Sequence, residues 1–244
     1  MICVIKVGGS SFSDKKSGKS YFPIVANNLS KELEGGKFVI VQGAGYVGHR
    51  IAKEEKLAEL KGNQLAWAYL RNEVMKFSTK FIERLIKAKK PAVYIATSSI
   101  AKMKGGKLLE INTKPVKDFL ENGFIPFLHS DAPIDEVYGI SILSGDILAE
   151  KIAESLGADM LIFGTDVDGV LDEKGNVVKV LHANEKENVH YWHVEDVSGG
   201  IEAKINVAKE AASKGIDTRI INLRKRGSLS KTLKGEDVGT KVVA

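Results

Sequence analysis

Four short glycine turns carry the residues of this 244-residue chain best suited to chemistry: Gly8-Gly9-Ser10, Gly43-Ala44-Gly45-Tyr46-Val47-Gly48-His49, Ser144-Gly145-Asp146 and Ser198-Gly199-Gly200. A turn without side chains lets backbone N–H groups approach an oxyanion. A helix N-terminus adds unpaired donors and a partial positive charge. One such turn is commonplace; four in one chain point to several phosphate groups held at once. Charged side chains accompany them. Lys6 precedes Gly8-Gly9, Lys15 follows in the same loop, and Lys204 lies one turn into the helix that Gly200 opens. Asp146 stands at the start of another expected helix, and Thr165-Asp166-Val167-Asp168-Gly169-Val170 follows an expected strand. Three lysines tied to three glycine turns make a cage for a phosphoryl group in transit, a reaction governed by positioning and charge neutralisation.

Other chemistries fit less well. The second turn satisfies G-x-G-x-x-G, but a dinucleotide unit needs a second strand soon after, ending in an acid about 20 residues on. Here helical sequence runs on to residue 88, and the next strand starts near Ala92. The phosphate-loop pattern G-x-x-x-x-G-K-[ST] does not occur. The Asp166–Asp168 turn lacks the third acidic position and terminal Glu of a calcium loop. His190 and His193 are three apart with no evident third ligand, so no metal site is expected there. His182 reads as surface, and His129 ends a strand where it could line an acceptor pocket.

The elements that must position these groups alternate. Apolar runs at Cys3–Val7, Phe38–Gln42, Ala92–Thr97, Ile125–His129, Met160–Thr165 and Thr218–Asn222 suit parallel strands covered on both faces. Between them, helix-period segments fall near 23–34, 49–60, 64–88, 115–122, 145–156 and 201–213. Trp67, Leu70, Val74, Phe77, Phe81 and Leu85 form an apolar stripe at steps of three and four, read first as core. Alternation from Ile134 to Leu143 suggests a hairpin. The expected fold is α/β, one continuous two-lobed unit with no repeat or linker.

Composition narrows the class. The chain is 43% hydrophobic and 27% charged, with net charge +5, which supports a packed core rather than disorder. The 30 lysines against 6 arginines are spread along the chain, unlike the concentrated basic face of most nucleic-acid binders. Rich Lys and Glu with two glutamines is a thermophile-like composition. The single cysteine, Cys3, excludes an intrachain disulfide and fits a reducing, cytoplasmic setting. No apolar run reaches the roughly 18 residues of a membrane span, and the start reads as a strand, not a signal peptide.

In this order the motifs resemble the amino-acid kinase superfamily: Ile5-Lys6-Val7-Gly8-Gly9-Ser10, the 43–48 loop, Ser144-Gly145-Asp146-Ile147-Leu148-Ala149, Thr165 to Val170, and Asp196-Val197-Ser198-Gly199-Gly200 with Lys204. Asp14-Lys15 and His49 make the chain most similar to the isopentenyl phosphate kinases within it. Ala44, Tyr46 and Val47 depart from that branch's second loop, and His129-Ser130-Asp131 stands where it usually has a residue followed by Gly-Asp. The resemblance implies a three-layer α/β/α sandwich with a mainly parallel sheet. Residues of about 1–157 would bind the phosphoryl acceptor and those of about 158–244 ATP with Mg2+, commonly in a homodimer.

The implied reaction is transfer of the ATP γ-phosphoryl to isopentenyl phosphate, within isoprenoid biosynthesis. Implied acceptor contacts are His49, the N–H groups of Ala44 and Gly45, Gly48 and Gly145. Lys6 would bridge the two phosphates, Lys15 would stabilise the transition state, and Asp146 would orient Lys6 or Lys15. Gly200 and Lys204 would take the β- and γ-phosphates. Gly8, Gly9, Ser10, Gly45, Thr165, Asp166, Asp168 and Gly169 complete the nucleotide set, with no dedicated metal ligand. A same-fold kinase for a fosfomycin-type phosphonate, UMP or an acyl carboxylate stays open, as does a non-catalytic nucleotide-binding protein.

Overall fold

The computed structural model describes residues 1–13, 22–57, 63–184 and 200–244. Its elements run β1 (Ile2–Val7), α1 (Gly9–Phe12), α2 (Phe22–Glu32), β2 (Lys37–Gln42), α3 (Gly45–Glu54), α4 (Gln64–Lys87), β3 (Ala92–Tyr94), α5 (Thr97–Ile100), β4 (Ala101–Lys104) and β5 (Lys107–Ile111). Then come α6 (Lys114–Glu121), β6 (Ile125–His129), β7 (Ile134–Asp135), β8 (Gly139–Ile140), α7 (Gly145–Leu156), β9 (Met160–Thr165), β10 (Val180–His182), α8 (Gly200–Ser213), β11 (Asp217–Asn222), α9 (Ser228–Leu233) and β12 (Thr240–Val243).

Eight strands form one sheet in the order β10-β12-β11-β9-β1-β2-β6-β3. Strands β11, β9, β1, β2, β6 and β3 are parallel throughout, and β12 runs antiparallel to β11. Alternate residues of β1 feed two cores. Val4 packs with Leu148 and Ile152 of α7 and Ala208 of α8, whereas Cys3, Ile5 and Val7 pack with Val25 of α2 and Phe81 of α4. With both faces covered, the strands read as almost unbroken apolar runs, and this is why they could be located from sequence. The result is an α/β/α sandwich. Because β1 is flanked by β2 on one side and β9 on the other, the connections diverge at its carboxyl end. Such a switch point opens a ligand crevice in parallel α/β sheets.

Two polar clusters hold secondary features. Asp135 accepts hydrogen bonds from the N–H groups of Gly105 (2.9 Å), Gly106 (2.8 Å), Val137 (2.8 Å) and Tyr138 (3.0 Å) and from Ser141 Oγ (2.7 Å). It thereby ties the β7–β8 hairpin to the turn of the β4–β5 hairpin in a second sheet ordered β5-β4-β7-β8. On the outer face, Lys214 reaches Glu150 (2.6 Å), Glu154 (2.8 Å) and Glu210 (2.9 Å), and Lys151 joins the same three carboxylates. This network fastens the distal ends of α7 and α8 together.

Some boundaries differ from expectation. The strand expected over Ala92–Thr97 ends at Tyr94, because Thr97 and Ser98 turn to bond the His129 carbonyl (2.6 Å) and Asp131 (3.1 Å). The helix expected from 49 begins at Gly45, where a left-handed φ of +67° starts it early. Strands β4, β5, β10 and β12 were not anticipated.

Phe81 is fully buried and meets the rings of Phe22 at 4.4 Å, Phe12 at 5.7 Å and Phe127 at 5.9 Å. Phe81→Ala is expected to cost about 3–5 kcal/mol in urea unfolding. A loss below about 1 kcal/mol would show that α4 does not depend on this cluster.

Candidate active site

Lys6 occupies the next-to-last position of β1 on the α7 face, and Asp146 is the second residue of α7. Their contact is 2.7 Å, between Lys6 Nζ and Asp146 Oδ1. Lys204, in the second turn of α8, places its Nζ 2.9 Å from the same oxygen and 5.5 Å from the centre of the Phe163 ring. All three side chains are at least 90% buried. Burial raises the cost of ionising Asp146, but the ammonium groups of Lys204 and Lys6 outweigh it and hold the carboxyl well below the usual range. For Lys6 burial dominates. Asp146 favours its charge and Lys204 opposes it, leaving its pKa lowered to about 8. Two cations share one anion, so this buried centre keeps a net positive charge suited to a phosphate.

The glycine turns set its walls. Gly9 and Gly45 lie back to back: a Cβ on Gly9 would come 2.8 Å from the Gly45 Cα and 2.9 Å from its nitrogen. Gly43 donates its N–H to the Val7 carbonyl (2.8 Å), and Gly8 donates to the Gly164 carbonyl (3.0 Å). The carboxyl ends of β2, β1 and β9 are thus stitched in sequence. The Gly8 N–H is committed to the sheet, and a side chain at this position would run into the Gly164 carbonyl. Gly145 opens the 12-residue α7, capped by Ser144 Oγ accepting the Asp146 N–H at 3.2 Å. A Cβ there would lie 2.8 Å from Ser130 Oγ and 3.4 Å from Lys6 Cε. A bare helix start therefore faces Lys6.

On the β2 side, Ala44 and Gly45 start α3, which carries the half-buried His49 in its second turn. Ser13 Oγ accepts the Tyr46 N–H at 2.9 Å, joining this turn to the β1 loop. Buried Gly48 leaves room for Val74 and Leu70 of α4, since a Cβ would lie 3.3 Å and 3.8 Å from their methyl groups. Trp67, Leu70 and Val74 pack with Ile51, Ala52 and Leu57 of the α3 region, while Phe81 and Leu85 join the core beneath α2. The α4 stripe is core along its length, and its first half also forms an apolar wall next to the His49 helix.

His129 is only 1% exposed and does not line a pocket. Its Nδ1 donates to the Ser130 carbonyl (2.7 Å), so its Nε2 accepts from the Tyr94 hydroxyl (2.7 Å). Burial lowers its pKa, consistent with this neutral tautomer. Sequence reasoning missed Arg71 and Asp131. From α4, Arg71 Nε binds Asp131 Oδ1 at 2.7 Å, and its other branch binds Ser98. The pair is 60 residues apart; the available signal was an arginine interrupting an apolar stripe in a lysine-rich chain.

On the β9 side, Thr165 Oγ1 donates to the carbonyls of Val167 (2.8 Å) and Ile221 (3.2 Å), which makes it a loop anchor. Asp168 accepts from Asn222 (3.0 Å) and pairs with Lys225 (3.3 Å), and Asp166 lies 3.9 Å from Arg224. Gly169 lets the chain press against β12, where a Cβ would come 2.6 Å from Thr240 Oγ1. Asp168 and Gly169 therefore shape this turn through the protein's own contacts. Ser10 is exposed beside the crevice, its carbonyl bonded to Arg224 (2.5 Å). Gly200 begins α8 as expected. Lys15, residues 196–199, His190 and His193 lie outside the described residues.

The described residues do not form a protein cage for magnesium. Among the described residues no group of three or more His, Cys, Asp or Glu is placed to hold a metal ion. The one carboxylate at the centre, Asp146, is engaged by two lysines.

Residues 1–222 match the model of the Amino acid kinase family. The isopentenyl phosphate kinase of Methanocaldococcus jannaschii is 29% identical, with 99% of this chain and 98% of that protein covered. The isopentenyl phosphate kinase of Methanothermobacter thermautotrophicus is 27% identical, with 98% of each covered. Among solved structures, an isopentenyl phosphate kinase superposes over the whole of both chains with a TM-score of 0.83 at 23% identity, showing the same fold.

The buried triad has a pH consequence. Lys6 in the free protein is charged below about pH 8 and neutral above it. Any kcat/KM that depends on its charge falls as pH rises through that value. Asp146→Asn removes the anion that supports the charge, so the alkaline limb is expected to move to lower pH. A pH–rate profile in which the limb is absent to pH 9.5, or moves upward in the variant, would refute this coupling.

Proposed function

The chain belongs to the amino acid kinase family, and on that premise we propose that it transfers the γ-phosphoryl group of ATP to the phosphate of isopentenyl phosphate, yielding isopentenyl diphosphate and ADP. Two observations support the reading. Lys6 and Lys204 converge on Asp146 at the carboxyl end of β1, and near-full-length relatives bear that activity in their names.

An oxygen of the acceptor phosphate attacks the γ-phosphorus. The new O–P bond forms as the bond to the β-phosphate oxygen breaks, and ADP leaves with that electron pair. The acceptor is largely ionised near neutral pH, since a phosphate monoester's second pKa is about 6, so no general base is needed. The protein's work is to bring anions into line and stabilise the spreading charge. Lys6, from the strand between the two halves, bridges acceptor and γ-phosphate. Lys204 and Gly200 at the start of α8 hold the β- and γ-phosphates. Asp146 orients Lys6 and, in addition, Lys204. His49, Gly48, the N–H groups of Ala44 and Gly45, and Gly145 hold the acceptor phosphate. Lys15 supplies further positive charge to the transition state.

Residues of about 1–157 form the acceptor half and those of about 158–244 the nucleotide half. Magnesium would come with ATP rather than be held by dedicated protein ligands, and it would neutralise phosphate charge. The proposed assembly is a homodimer, and the single cysteine fits a reducing, cytoplasmic setting.

The test is ATP consumption with isopentenyl phosphate, dimethylallyl phosphate, fosfomycin, UMP and N-acetylglutamate as acceptors. Turnover should be highest with isopentenyl phosphate; preference for another acceptor would reassign the substrate. Lys6→Ala is expected to lower kcat roughly 100- to 1,000-fold, the effect of losing one oxyanion donor. His49→Ala should raise the acceptor KM far more than that of ATP. Near-wild-type kinetics in either variant would remove that residue from the mechanism.

A further inference from the structure

Ser130 follows β6 on the acceptor side, half-buried, and its surroundings leave its backbone little freedom. Its N–H donates to the Gln42 carbonyl at 2.8 Å, at the point where β2 enters the second glycine turn. Its carbonyl accepts from His129 Nδ1 at 2.7 Å, and Tyr94 holds the far side of that ring. The next residue is pinned as firmly. Asp131 accepts from Arg71 Nε (2.7 Å), Ala132 N–H (2.8 Å) and Ser98 N–H (3.1 Å), and its carbonyl accepts the Leu143 N–H at 2.9 Å.

The hydroxyl, by contrast, is loosely engaged. Its bond to the Gln42 carbonyl is 3.4 Å, near the limit for such a contact. It points at the bare start of α7: Ser130 Oγ lies 2.8 Å, and Lys6 Cε 3.4 Å, from the point where a Gly145 Cβ would be. That point is bounded by a helix N-terminus, a buried ammonium side chain and a hydroxyl on a fixed backbone. A phosphate oxygen is a better acceptor for the hydroxyl proton than a carbonyl 3.4 Å away, because charge-assisted hydrogen bonds are the stronger kind.

We propose that the Ser130 hydroxyl is a direct ligand of the acceptor phosphate, donating a hydrogen bond to the oxygen held between Lys6 and the N-terminus of α7. This rests on the phosphate-acceptor reading above. The hydroxyl contributes a donor from the end of β6, facing the start of α7. The Tyr94–His129 and Arg71–Asp131 pairs position it without touching substrate. Ligands lacking a dianionic phosphate gain little from it, which favours phosphate monoesters over carboxylates.

Ser130→Ala and Ser130→Gly test the role in steady-state assays with isopentenyl phosphate and ATP, alongside thermal melts. Losing a hydrogen bond to a charged group should raise the acceptor KM about 10- to 100-fold in both variants, with the ATP KM within twofold of wild type. Calorimetry with isopentenyl phosphate alone should show the same loss of affinity. An acceptor KM within twofold of wild type would overturn the proposal. So would a parallel rise in both KM values or a collapse of the melting temperature in both variants, since these indicate a structural role. If the wild type ignores isopentenyl phosphate but phosphorylates another phosphate monoester, the function above fails and Ser130 is judged on that acceptor. If only a phosphonate is used, the function above fails and Ser130 is judged on that acceptor, whose phosphonate oxygens can take the same bond; if only a carboxylate is used, both readings fail.

Discussion

A single buried carboxylate oxygen organises this protein's centre. Asp146 Oδ1 receives one ammonium group from β1 and another from α8. Taken alone, each lysine would be costly to bury in charged form. Together with Asp146 they leave a buried cluster of two cations on one anion. The requirement reaches outward through the fold. The N-terminal ends of α7 and α8 must stay close for the three groups to meet, and the five-residue ion network joins the same two helices farther along.

The legibility of the sequence follows from how local each signal was. Central strands such as Met160–Thr165 are apolar on both faces and announce themselves. Strands β4 and β5 do not, because Ala101-Lys102-Met103-Lys104 and Lys107-Leu108-Leu109-Glu110-Ile111 bury only part of one face and alternate too briefly. Gly200 with Lys204 was readable as a helix start with a lysine one turn on. The partner of that lysine was not, since the Asp146–Lys204 contact joins residues 58 apart and exists only when α7 packs on α8. The same holds for Arg71 and Asp131. Gly8 and Gly169 show the same limit: local pattern shows that a side chain is missing, and only packing shows which neighbouring atoms take its space.

Helix α4 presents two different chemistries to its neighbours. On one, Trp67, Leu70 and Val74 of α4 meet α3 in an apolar cluster. On the other, α4 sends Arg71 to Asp131, and the strand ends behind it carry His129 and Tyr94. One helix thus supplies an oily wall and a polar clamp from the same two turns. The clamp holds Asp131, and with it the backbone beside Ser130, next to the bare start of α7.

The contact between Gly9 and Gly45 bears on how such a scaffold diversifies. The gap between the β1 and β2 turns is gauged by main-chain atoms meeting directly, with no side chain interposed. Exchange of residues on the outer faces of α3 or α4 leaves that gauge unaltered, because no side chain takes part in it. The separation of the two turns and the chemistry of the helices beside them can therefore drift independently of each other.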